Sequence, residues 1–184
     1  MLHFDKMKFL PNGLSIFRIL SAFFIIALSS QNNEILSLLA LLLFIFASLS
    51  DYLDGYLARK YRVMSQLGAA LDLLADKILV SIMLIWLTYA INTLEIFVLS
   101  IILISRELAM STLRQMKVKA KSDTLKVNYL GKVKTFSQMT AISFLLCTPT
   151  FSLGTEFIYD LGVILLGFAG FMSLTSFFQY LKKI

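Results

Sequence analysis

Six apolar runs divide the 184-residue chain, and short polar segments separate them. Five of the runs cover about residues 14–30, 35–58, 67–88, 131–148 and 156–178, and another begins near Leu94 and ends by Arg114. A helix needs about 20 residues to cross a membrane, so each run has roughly the length of one span. Residues 1–10 are too short and too charged to span, and they predict a short interfacial helix before Pro11-Asn12-Gly13. The pattern predicts an all-α membrane protein with six transmembrane helices, in which residues 1–184 form a single domain.

The lysine and arginine residues indicate how this arrangement is oriented. All 17 lie in the connections on one side, or in the helix thirds nearest to that side. The connections at about residues 29–34, 89–95 and 150–155 contain none. Because basic residues are retained on the cytoplasmic side of a membrane, both termini are expected in the cytoplasm. The expected location is the plasma membrane of a bacterium.

Composition supports a membrane protein and argues against a nucleic-acid partner. Hydrophobic residues make up 58% of the chain and charged residues 15%, which suits a polytopic membrane protein. The net charge is +6, but the basic residues are not interleaved with aromatic residues that could stack on bases. The single cysteine, Cys147, cannot form an internal disulfide and is interpreted as a packing residue.

Four aspartates interrupt the second and third runs near their cytoplasmic ends. Asp51 and Asp54 are three residues apart, and Asp72 and Asp76 are four apart, so each pair lies on one helix face. A short basic loop joins the two runs, so the pairs can face each other across one cavity. A carboxylate inside a membrane normally faces a polar cavity, pairs with a cation or binds a metal. The sequence predicts a site with its active groups on the cytoplasmic side.

Divalent cations are the simplest counter-charge for four clustered carboxylates. Two such ions would clamp a phosphoryl group, and one acid would act as a general base. One alternative is a set of buried ion pairs with Arg59, Lys77 or Arg106. Another is an ion-coupled transporter, although the sequence lacks the interrupted helices in matched halves that are typical of transporters.

Arg18 lies about one turn into the first run, and its position leaves two interpretations open. A long basic side chain near a helix end can extend back to the membrane interface. Alternatively Asn12, Ser15 and Arg18, each three residues apart, face a polar pocket together. The spacing does not choose between them.

The aspartates belong to a longer motif, Asp51-x2-Asp54-Gly55-x2-Ala58-Arg59-x8-Gly68-x3-Asp72-x3-Asp76. All eight fixed positions match the signature of the CDP-alcohol phosphatidyltransferases, and the six-span layout extends this resemblance to nearly the whole chain. The resemblance implies an integral membrane enzyme, usually a homodimer. Such an enzyme transfers a phosphatidyl group from a CDP-linked lipid to an alcohol and releases CMP.

The resemblance also implies roles for individual residues. Asp51, Asp54 and Asp72 correspond to metal ligands for two Mg²⁺ or Mn²⁺ ions, and Asp76 to the general base, which also contacts metal. Pro11-Asn12-x-Leu14-Ser15-x2-Arg18 resembles the N-terminal element of the family, whose Asn and hydroxyl contact the nucleotide. The positions expected to bind CDP are Asn12, Ser15, Gly55, Ala58, Arg59 and Gly68.

Three sequences resemble the branch of the family whose acceptor is glycerol 3-phosphate and whose donor is CDP-diacylglycerol. They are the stretch from Ser50 to Arg59, Arg106-Glu107 with Leu113-Arg114, and Gly131-Lys132-Val133-Lys134-Thr135-x2-Gln138-Met139.

Arg106, Lys132 and Lys134 would supply cations for the acceptor phosphate. The alternative is that the lysines bind anionic lipid headgroups. Leu73 stands at a position where this branch of the family usually has proline, which weakens the assignment to the branch. The alternative is a family member with another acceptor, namely serine, inositol phosphate or phosphatidylglycerol.

Overall fold

A computed structural model describes the backbone of residues 2–31, 33–61, 66–119, 129–148 and 155–181. Side chains are described for residues 13–31, 33–50, 68, 70–113, 133–148 and 156–181. In these ranges the regular structure is entirely helical: α1 (Leu2–Ser29), α2 (Glu34–Tyr61), α3 (Gln66–Ile91), α4 (Leu94–Lys119), α5 (Tyr129–Cys147) and α6 (Thr155–Leu181). The all-α prediction is confirmed, and each apolar run corresponds to one helix.

Two helices contain stretches that are long and apolar enough to cross a membrane, Leu94–Leu113 in α4 and Glu156–Leu181 in α6. Shorter apolar stretches lie in α1 and α2, at Gly13–Ser29 and Glu34–Ser50. Large apolar side chains stay exposed on all six helices, for example Phe23, Phe46, Ile85, Phe97, Phe136 and Phe171. Such a surface is typical of helices that contact lipid. Six transmembrane helices stay a prediction, because within the described residues only the stretches in α4 and α6 are long enough.

The N-terminal helix differs from the predicted arrangement. The sequence predicts a separate interfacial helix over residues 1–10, whereas α1 continues from Leu2 to Ser29 through Pro11-Asn12-Gly13. Proline inside a helix removes one backbone hydrogen bond and crowds the preceding turn, which favours a kink or a break, but its fixed φ is compatible with a helix, and α1 continues through Pro11.

The chain divides into two compact units, the first ending at Trp86 within α3 and the second beginning at Leu87. In the first unit α1 packs along α2, and the rings of Phe17 and Phe46 meet edge to face with centroids 6.3 Å apart. In the second unit α6 packs against both α5 and α4. The prediction that residues 1–184 form one domain stays a prediction.

Asparagine side chains and backbone form the turns on the side that lacks lysine and arginine. Asn33 Oδ1 accepts hydrogen bonds from the N–H groups of Ile35 and Leu36, at 3.0 and 3.3 Å, and so caps α2. Asn92 follows α3 with φ of 54°, a left-handed conformation that asparagine tolerates better than most residues. Thr93 Oγ1 and Tyr159 Oη lie 3.1 Å apart and connect the turn after α3 to α6.

A glycine lets α5 and α6 approach closely. A Cβ atom added at Gly162 would lie 2.8 Å from both Cγ and Cδ2 of Leu145. At Gly167, further along the same helix, an added Cβ would meet nothing within 4 Å. The two glycines therefore differ in their surroundings, although both lie inside α6.

Gly162→Ala is expected to unfold at a lower temperature than Gly167→Ala in detergent. Overpacking at Gly162 costs about 1–3 kcal/mol, whereas Ala in place of Gly favours a helix by about 0.5–1 kcal/mol. The matched control Gly167→Ala should therefore equal or exceed the wild type. The measurement is the midpoint of thermal unfolding, and equal midpoints for the two variants would contradict the close approach at Gly162.

Candidate active site

The C-terminal part of α2 carries one half of the predicted site. Asp51 and Asp54 both lie on this helix, one turn apart, as their spacing predicts. Other predicted residues on the same helix are Gly55, Ala58 and Arg59. The side chains of these residues lie outside the described part of the chain, so their roles stay predictions.

The beginning of α3 carries the other half. Asp72 and Asp76 lie one turn apart on this helix, and both are partly exposed. Gly68 precedes Asp72 by one further turn. Ala75 and Leu79, which are buried, anchor this part of α3 in the first unit. The carboxylates are thus carried by a helix that packs through its apolar side chains.

Arg18 on α1 is completely buried, and its Nη2 donates a hydrogen bond to Oδ1 of Asp72 in an ion pair. This contact decides between the two interpretations of Arg18, because a side chain that extends to the membrane interface would be exposed. Ser15, one turn before Arg18, is also buried. The hydroxyl of Ser21, one turn after it, donates to the carbonyl oxygen of Arg18 at 2.8 Å.

The charges explain why this contact forms. A guanidinium removed from water is costly unless an anion compensates it, and Asp72 supplies that anion. The side chain of Asp72 is 36% exposed, so only part of the carboxylate is enclosed with Arg18. The sequence left the role of Arg18 open. The signals for a place in the site were its position three residues after Ser15 and its place in the motif that resembles the N-terminal element of the family.

The donor set fits a hard divalent cation, because carboxylate oxygens are the ligands that Mg²⁺ and Mn²⁺ prefer. Asp72 and Asp76 present two such groups one turn apart on partly exposed positions. Among the residues whose side chains are described, no three His, Cys, Asp or Glu side chains come together. A complete ligand set thus requires Asp51 and Asp54, and it stays a prediction.

A second cluster of charges lies in the second unit, around the carboxylate of Glu107. Lys134 on α5 pairs with Oε2 of Glu107, and Arg106 Nη1 lies 3.4 Å from the same oxygen. Arg106 Nε also donates to the carbonyl oxygen of Ser173 on α6, at 2.9 Å. Both cations are buried, whereas Glu107 is 32% exposed.

The structure thus brings together two of the three predicted acceptor residues. Lys132 also lies on α5, but its side chain is outside the described part. The sequence analysis assigned no role to Glu107, although it stands next to Arg106. Its contact with Lys134, 27 positions away, gave no signal in the sequence. Two cations and one carboxylate leave these three side chains with a formal charge of +1.

The sequence of the chain is similar to a known protein family and to several of its named members. The family described as CDP-alcohol phosphatidyltransferase matches residues 8–175. A protein of Rickettsia typhi named CDP-diacylglycerol–glycerol-3-phosphate 3-phosphatidyltransferase is 39% identical over 176 residues, which cover 96% of this chain and 97% of the relative. A protein of Pectobacterium atrosepticum with the same name is 33% identical over 175 residues, covering 94% and 93%. The family resemblance of the aspartate motif is confirmed, and the chain belongs to the CDP-alcohol phosphatidyltransferase family.

Proposed function

We propose that this protein transfers the phosphatidyl group of CDP-diacylglycerol to glycerol 3-phosphate and releases CMP. The observation that carries the proposal is the similarity to relatives that have this activity in their name, which extends over 94% or more of the chain. The family signature lies inside the matched region, with Asp72 and Asp76 partly exposed on α3. The product is a phosphatidylglycerol precursor that keeps the acceptor phosphate.

Asp76 acts as the general base in this proposal. It takes the proton from the primary hydroxyl of glycerol 3-phosphate, and the resulting oxygen attacks the β-phosphorus of CDP-diacylglycerol while the bond to CMP breaks. Two divalent cations, when bound by Asp51, Asp54 and Asp72 with a contact from Asp76, supply positive charge to the phosphoryl oxygens. The nucleotide is bound by Asn12, Ser15, Gly55, Ala58, Arg59 and Gly68.

The enzyme is proposed to reside in a bacterial plasma membrane as a homodimer, with both termini and the site in the cytoplasm. The absence of lysine and arginine from three connections supports this orientation. The exposed apolar side chains along the helices support contact with lipid. A lipid donor also requires a site that opens to the bilayer.

Arg106, Lys132 and Lys134 are proposed to bind the acceptor phosphate. The burial of Arg106 and Lys134 beside one another at Glu107 supports this role, because two cations on neighbouring helices can bind one phosphate together. A charge-assisted hydrogen bond from a buried cation is also stronger than one from a cation in water. These residues favour an acceptor that carries a phosphate over serine.

The activity can be tested by incubating the purified protein with CDP-diacylglycerol, Mg²⁺ and one acceptor at a time. We expect CMP release with glycerol 3-phosphate and much less with serine, inositol phosphate or phosphatidylglycerol. EDTA should abolish the reaction and added Mg²⁺ or Mn²⁺ should restore it, because the carboxylates bind substrate through metal. CMP release with another acceptor would replace the proposed acceptor, and no CMP release with any acceptor would favour a transporter.

Asp76→Asn tests the base. It should lower turnover by about 10²–10⁴-fold, the usual contribution of a general base, while most of the Mn²⁺ binding is retained. The matched variant Asp72→Asn should weaken Mn²⁺ binding as well as turnover, because Asp72 is proposed as a ligand. Equal loss of Mn²⁺ from both variants would rule out a dedicated base at position 76.

Lys134→Ala, Lys132→Ala and Arg106→Lys test the acceptor site. Each should raise the KM for glycerol 3-phosphate, because a charge-assisted contact is worth about 1.5–3 kcal/mol, which is roughly a 10–150-fold change. Arg106→Lys keeps the charge but loses the guanidinium fork. The KM for CDP-diacylglycerol should change little.

Lys182→Ala serves as the control, since it removes a basic residue from the C-terminal end outside the proposed site. Gel filtration in detergent checks that each variant is folded, because Lys134 also pairs with Glu107. An unchanged KM for glycerol 3-phosphate in all three variants, at normal turnover, would assign these cations to lipid headgroups instead.

A further inference from the structure

α1 contacts both helices that carry the aspartate motif. Phe17 packs against Phe46 on α2, and the next residue, Arg18, pairs with Asp72 on α3. The first contact is between apolar rings, and the second is an ion pair of a buried guanidinium. Two adjacent residues of α1 therefore connect it to the two helices of the site.

The Arg18–Asp72 pair is asymmetric in its exposure. Arg18 is 0% exposed, whereas the side chain of Asp72 is 36% exposed. The guanidinium therefore holds the carboxylate from the protein interior, through Oδ1. The exposed part of Asp72 lies on the same helix face as Asp76, one turn away.

We propose that Arg18 is a positioning residue for the metal site, and that it acts through Asp72. By holding Oδ1, it fixes the orientation of the carboxylate that would bind the metal. This inference rests on the proposed function, because it takes Asp72 to be a metal ligand. The sequence alone gave Arg18 no such role.

Physical chemistry favours this role over a purely structural one. Carboxylates that bind metals are usually held by outer hydrogen bonds, and loss of such a partner typically weakens metal binding about 10–100-fold. A guanidinium suits the task, because its planar group fixes the direction of the carboxylate better than an ammonium does. The buried hydroxyl of Ser21 holds the backbone carbonyl of Arg18 and so stabilises this turn of α1.

The test measures Mn²⁺ binding by the purified protein in detergent, from the loss of the electron paramagnetic resonance signal of free Mn²⁺. Arg18→Gln should raise the Kd for Mn²⁺ about 10–100-fold, and Arg18→Lys should raise it less, because the charge is retained. Ser29→Ala is the matched control. It removes a buried hydrogen bond of the same helix, from the Ser29 hydroxyl to the carbonyl oxygen of Ile25, without touching Arg18 or Asp72, and its Kd should equal that of the wild type.

A double-mutant cycle shows whether Arg18 acts through Asp72. In the Asp72→Asn background, Arg18→Gln should change the Kd by less than about threefold, because the group that it positions has already been altered. If Arg18→Gln fails to fold because Asp72 is left unpaired, Arg18→Lys takes its place in the cycle, since it keeps a positive charge beside Asp72 but loses the planar guanidinium.

Three results would overturn the positioning role. They are an unchanged Kd in Arg18→Gln and Arg18→Lys, a lower Kd, which would make Arg18 a competitor of the metal, and an effect of full size in the Asp72→Asn background. A wild-type protein that binds no Mn²⁺ would instead overturn the metal part of the proposed function, and the positioning role with it. If the wild type binds Mn²⁺ and Arg18→Gln binds it with the same Kd, only the positioning role is overturned.

Discussion

A charged side chain that is shielded from water needs an opposite charge inside the protein, and this requirement governs the two charge clusters seen among the described side chains. Arg18 meets it with Asp72, across 54 positions of sequence. Arg106 and Lys134 meet it with Glu107. In each cluster the cations are buried and the carboxylate is partly exposed, so the anion is the member that remains accessible.

On the side of the chain without lysine or arginine, uncharged side chains shape the described turns, together with the carboxylate of Glu95. Asn33 caps α2 with its side-chain oxygen, and Asn92 turns the chain after α3. Thr93 and Tyr159 share a hydrogen bond, and the Tyr159 hydroxyl also donates to Glu95 at 3.4 Å. These turns therefore depend on hydrogen bonds, whereas the two charge clusters depend on ion pairs.

The sequence predicted the helices well, because apolar runs bounded by polar and turn residues specify where a helix begins and ends. It also predicted the family, since the aspartate motif has fixed spacings. The break that the sequence predicted at Pro11-Asn12-Gly13 is absent, and α1 continues through these residues. Proline and glycine disfavour a helix, but packing of the rest of the helix can outweigh that cost. The contacts of Arg18 and Glu107 could not be predicted, since spacing along one helix does not reveal which distant residue packs against it.

The close approach at Gly162 also limits how a lipid could enter. The gap between Gly162 and the Leu145 side chain cannot hold one added carbon atom, so at this level it cannot admit an acyl chain. Sideways passage from the bilayer between α5 and α6 is therefore closed there, unless these two helices separate. A substrate that keeps its tails in the bilayer would therefore have to enter away from the level of Gly162.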